Sequence, residues 1–157
     1  MERTATVDPT GRYRYCLERR WSHASTLAII MLNPSWADSA LDDPTLRRCL
    51  GFAQGWGSGA IAVVNLFAYR SCHPAVLSQV DDPIGPENDR VLAEVADRAD
   101  SILLAWGNGG RWLGRDRTVL SLLTPHQAKC YCLGRNLTGQ PRHPLYAPSA
   151  TPLQHWS

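Results

Sequence analysis

Apolar positions along the chain fall in short runs separated by amphipathic stretches, and the period of each run points to an element. Gly11 to Leu17 sets Tyr13, Tyr15 and Leu17 against Arg12, Arg14 and Cys16. That period of two predicts a half-exposed strand. Leu27 to Leu32 (LAIIML) and Ala60 to Leu66 (AIAVVNL) are continuous apolar runs, as in strands buried on both faces. Ser101 to Trp106 and Lys129 to Leu133 read the same way. Between these runs the spacing turns helical. Leu46, Cys49, Leu50, Ala53 and Trp56 define a helix over Pro44 to Trp56, with Asp43 as its N-cap and Pro44 in its first turn. Val91, Leu92, Val95, Ala96 and Ala99 define a second over Pro86 to Ala99. Leu113, Val119, Leu120 and Leu123 mark a third over Arg111 to Leu123. A short helical segment runs from His73-Pro74 to Val80, and the tail from Gly134 is rich in loops.

Strands alternating with helices predict an α/β fold with a central, mainly parallel sheet of four or five strands in a three-layer α/β/α arrangement. The 157 residues suit one domain, with its core over about 12–153. Hydrophobic residues make up 44%, enough for a sizeable core. The net charge of +2 is too balanced to announce a nucleic-acid binder by itself. Its distribution is uneven: residues 1–110 hold 10 basic and 13 acidic side chains, whereas 111–157 hold 6 and 1. No apolar run is long enough to span a membrane, and the first 20 residues lack a signal-peptide core, so a cytoplasmic protein is expected. The five cysteines, at 16, 49, 72, 130 and 132, form no Cys-x-x-Cys pair. Reduced structural thiols are expected, with no metal and no cofactor. Cys130 and Cys132 share one face of their strand.

In an open parallel sheet a ligand lies beyond the carboxyl ends of the strands. Here those ends carry Asn33-Pro34-Ser35, then Asn65 followed by Phe67, Tyr69 and Arg70, then Trp106-Gly107. A buried Asn must be hydrogen-bonded, and its amide matches the donor–acceptor edge of a nucleobase. Phe67, Tyr69 and Arg70 fit stacking and phosphate contact, and they equally fit a packed loop. Asp43 is a candidate base as well as a helix cap. His143, held between Arg142 and Pro144 with Tyr146 nearby, suits proton donation near neutral pH. An adjacent Arg142 would lower its pKa and keep the imidazole neutral.

The blocks Met-Leu-Asn-Pro-Ser at 31–35, Asp-Asp-Pro-Thr-Leu-Arg-Arg-Cys at 42–49 and Val-Asn-Leu-Phe-Ala-Tyr-Arg at 64–70 stand in a fixed order. Asp-Pro-Ile-Gly-Pro-Glu-Asn-Asp at 82–89, Ala-Trp-Gly at 105–107 and Arg-His-Pro-Leu-Tyr at 142–146 follow. Together they resemble the bacterial family termed domain of unknown function 1643. The same order is similar, more remotely, to the uracil-DNA glycosylase superfamily. That resemblance implies the glycosylase-like fold, with Asn33 positioning an attacking water and Asn65 reading a base edge. It also implies that His143 stabilises charge on the departing base, and that Phe52 or Trp36 stacks on that base. Leu145, which stands where the superfamily usually has Ser, is a candidate wedge. The expected partner is a nucleotide or nucleic acid, and the expected reaction is cleavage of an N-glycosidic bond. A non-catalytic binding module on the same fold and a phosphometabolite hydrolase using Asp43 are the alternatives. Convergence of Asn33, Asn65 and His143 on one pocket, with an aromatic and an Arg at its rim, is the structural expectation that follows.

Overall fold

A computed structural model describes residues 1–157. One seven-stranded sheet runs through it, built from β1 (Glu2–Val7), β2 (Arg14–Arg20), β3 (Thr26–Met31), β4 (Ala60–Asn65), β5 (Ser101–Leu104), β6 (Cys130–Cys132) and β7 (Gln154–His155). Their spatial order is β1-β2-β4-β3-β5-β6-β7. The central strands β4, β3, β5 and β6 pair in parallel. β1 and β2 on one flank and β7 on the other run antiparallel to their neighbours. The expectation of four or five strands therefore falls short. β1 (ERTATV) has no apolar run to announce it, and β7 is two residues long.

Each parallel connection carries a helix: α1 (Pro44–Gly55), α2 (Asn88–Arg98) and α3 (Arg115–Leu122). Alternate residues of the buried strands feed two separate cores. Leu27, Ile29, Ile61, Val63 and Leu103 pack with Leu46, Cys49, Phe52 and Ala53 of α1. Ala28, Ile30, Ala62, Val64, Ile102 and Leu104 pack with Val91, Leu92, Val95 and Ala96 of α2 and Val119 of α3. Cys130 and Cys132 share one face, as their spacing requires, and both join the α2 side.

Two expectations need correction. The segment Arg111 to Leu123 is not one helix. A 3-10 stretch over Asn108–Gly114 precedes α3, broken at Trp112 and at Leu113, which has a left-handed φ of 55°. Nor is β2 half-exposed: Arg14, Tyr15, Cys16 and Leu17 are all buried. β2 lies inside the sheet, between β1 and β4, and the segment at Ala37 and Asp38 covers its arginines, accepting from Arg14 and Arg19 through its carbonyls. No helix is long and apolar enough to cross a membrane.

Candidate strand-tip site

The parallel pairing sets Met31 of β3 beside Asn65 of β4, so the two strands end level. Asn65 continues the alternation of Ile61 and Val63 and belongs to the sheet face that carries α1. A cavity of about 320 Å³ opens there, at the small end of the range for small-molecule sites. Its walls include Asn33, Ser35, Asp43, Asn65, Trp106, His143 and Tyr146, brought together from across the chain.

Asn65 is 1% exposed, and neither its Oδ1 nor its Nδ2 has a hydrogen-bond partner. A buried amide left wholly unpaired costs about 1–3 kcal/mol, so its retention demands an explanation. Its backbone, by contrast, is fastened from the other face of the sheet. Asn88 Nδ2 donates to Asn65 O at 2.9 Å and to Leu66 O at 3.0 Å. Arg115 Nε donates to Leu66 O at 2.9 Å, and its Nη2 pairs with Asp89 at 2.5 Å. Asn33 Nδ2 donates to Ser71 O at 2.9 Å, which fixes the amide and leaves Oδ1 without a protein donor.

Asp43 caps α1 by accepting the Leu46 N–H at 2.7 Å through Oδ1. Its Oδ2 accepts from the Ser35 hydroxyl. Both oxygens are thus engaged in structure. His143 Nδ1 accepts the Leu145 N–H at 3.1 Å, which leaves the ring proton on Nε2. Burial lowers the pKa of His143 from its usual value, against the opposing pull of the Asp43 carboxylate. The imidazole is therefore neutral at pH 7, for a reason other than the expected one: Arg142 plays no part. The Arg142 guanidinium lies over Gly134, away from the cavity walls.

Gly107 and Trp106 back the site. A side chain at Gly107 would come within 3.7 Å of His143 Cβ, and the φ of 74° already favours glycine. Trp106 Nε1 donates to Gln140 Oε1 at 2.8 Å, so the indole presents the cavity with an apolar wall.

Several expected residues lie outside the cavity walls. Phe67 faces the opposite core, 5.1 Å from Trp112, because β4 and its alternation end at Asn65 and Leu66, Phe67 and Ala68 all join the α2 side. Phe52 is buried beneath α1 and stacks on Trp56 at 5.2 Å. Tyr69 packs edge-on against Tyr13. Arg70 sits over the ring of Trp36, 4.9 Å from its centroid, and Trp36 is itself exposed. The aromatic groups lining the cavity are instead Trp106 and Tyr146, with Leu145 and Tyr146 both exposed to solvent.

Three participants escape a strand-by-strand reading. Arg14 of β2 lines the cavity. Cys49 of α1 does too, as a protonated thiol whose pKa burial pushes up to about 12. Arg48 reaches from α1 to donate to Pro144 O at 3.4 Å and to Ala147 O, tying down the loop that carries His143. The only sequence signal for Arg14 is a charge inside an otherwise strand-like alternation. No group of three or more His, Cys, Asp or Glu side chains is placed to hold a metal ion.

The parallel sheet and the cavity at its strand tips, apolar over most of its wall with a few polar groups, define an α/β protein with a pocket where such sheets usually bind ligands. Residues 14–145 match the model of the family described as protein of unknown function (DUF1643), and the chain belongs to that family. No curated protein and no solved structure matches it.

Proposed function

We propose that the protein cleaves an N-glycosidic bond in a nucleotide or nucleic acid, on a three-layer fold of the uracil-DNA glycosylase kind. The observation that carries this reading is the orphaned amide of Asn65 in the cavity wall. A donor and an acceptor fixed side by side complement a base edge that offers acceptor and donor together. In the reaction, the oxygen of a water bonds to C1′ of the sugar while the C1′–N bond breaks. The bonding electron pair leaves with the base, and the proton lost by the water ends there. Asn33 Oδ1 accepts from the attacking water, its amide held still by Ser71. The Nε2–H of neutral His143 donates to the oxygen on which charge builds, a preorganised stabilisation of the departing base. Asp43, with both oxygens taken, acts as a fixed negative charge beside the positive charge developing on the sugar.

The test is release of free base from oligonucleotides containing uracil, hypoxanthine or hydroxymethyluracil, and from free nucleotides. Asn33→Ala and His143→Ala are each expected to slow release at least about a hundredfold, the usual loss when a preorganised charge-stabilising or positioning group is removed. A folded protein that releases no base from any of them overturns the reaction. One observation favours a non-catalytic binding module in that event: the sole carboxylate lining the cavity is used up as a helix cap and a serine acceptor. Ligand-induced thermal stabilisation without turnover is its signature.

A further inference from the structure

Arg14 is the one cavity residue with a full charge and no assigned work. It is 4% exposed, and only Nη1 is engaged, donating to Ala37 O at 2.7 Å. Nε has no partner, and no carboxylate pairs with the guanidinium. The two other buried arginines behave differently: Arg19 pairs with Asp42 and Arg115 with Asp89. Buried charges are ordinarily paired because desolvation makes a lone one costly. Burial pushes the Arg14 pKa down to about 10, against the pull of Asp43, so the group is still a cation at pH 7. Asp43 acts on it only at a distance, since no salt bridge joins the two. A second cation, Arg70, adds to the positive potential at Arg14.

We infer that the cavity is built for a base-sized ligand that also carries an anionic oxygen group, a carboxylate or a phosphate, held by Arg14 while Asn65 reads the amide edge. A guanidinium with two nitrogens uncommitted suits such an oxygen pair through charge-assisted hydrogen bonds. The inference rests on the N-glycosidic reading only for the contact to Asn65. It makes Arg14 a specificity residue for the anionic group.

Binding, measured by calorimetry without any turnover, separates the two ideas. The probes are uracil, orotate (uracil with a ring carboxylate), uridine 5′-monophosphate and inorganic phosphate. Orotate or the monophosphate is expected to bind at least roughly tenfold more tightly than uracil, the gain from one charge-assisted hydrogen bond. Preference for orotate identifies a ring substituent as the anion, and preference for the monophosphate identifies the nucleotide phosphate. Arg14→Met should abolish the preference, while Asn65→Leu should weaken all three pyrimidines. Equal affinity for uracil and both anions in the unmodified protein overturns the inference even if Arg14→Met does not fold. So does phosphate binding as tightly as either pyrimidine anion, because the amide edge would then contribute nothing. Base release with no anion preference defeats the inference alone, and anion preference with no base release defeats the glycosidic reaction alone.

Discussion

Two buried arginines stand five positions apart on β2, and the two ends of that strand treat them in opposite ways. At one end Arg19 is saturated. Its Nε and Nη2 both meet Asp42 Oδ1, at 3.2 and 2.8 Å, and the guanidinium also donates to Glu18 O and Asp38 O. At the other end Arg14 has a single carbonyl partner. The same side chain, equally hidden from water, is a fastener in one place and an open contact in the other. Burial of a charge therefore marks nothing by itself. What separates structure from recognition is whether its hydrogen-bonding capacity is spent.

This contrast is open to direct attack, first through stability. Arg19→Met leaves two carbonyls without their donor and Asp42 with only the exposed Arg3, and should cost about 3 kcal/mol by urea denaturation. Arg14→Met strands one carbonyl and relieves an unpaired cation, so its net effect should stay within about 1 kcal/mol of zero. Equal losses in the two variants would show that Arg14 is as structural as Arg19.

The two buried asparagines repeat the comparison at smaller scale. Asn88→Ala takes the side-chain donor from Asn65 O and leaves Leu66 O to Arg115 alone, and should cost about 2 kcal/mol. Asn65→Leu removes an amide that has no partners, and should leave the protein as stable or more stable by about 1 kcal/mol. A destabilised Asn65→Leu protein would mean that the amide is satisfied in solution.

The smallest effect concerns His143. Its folded pKa lies below 6.5, so the unfolded chain takes up the proton first as the medium is acidified. The stability this provides is complete above pH 6.5 and declines as pH falls through 6.5 towards the lower folded value, where the decline levels off. Comparing the pH dependence of unfolding for the native protein and His143→Gln should isolate this slope.

Much of this architecture can be read from the chain. The runs at 27–32 and 60–66 are apolar on both faces, which places them inside a parallel sheet, and Asn33 and Asn65 end them abruptly. Polar residues closing such runs direct attention to the strand tips, and His143 indeed reaches the same cavity. Arg14 and Phe67 show where that reasoning stops. A period of two separates the faces of a strand and does not tell whether a further layer covers each face. Arg14 looks solvated until the loop at Ala37 closes over it. Phe67 looks like a stacking platform because it follows Asn65 closely, yet the chain has already turned it into the α2 side. Arg48 is invisible for a different reason: its carbonyl partners lie about 100 positions away in the chain, and nothing local foretells them.

The turn at His143 joins a proton to a piece of backbone. Nδ1 is held by the Leu145 N–H inside a 3-10 turn over Pro144–Tyr146, and Arg48 pins Pro144 and Ala147 on either side. The tautomer and the turn thus share one degree of freedom. Unwinding the turn would release Nδ1 and let the proton settle there. Any motion that lifts the Leu145 N–H from Nδ1 would then free the ring to carry its proton on either nitrogen.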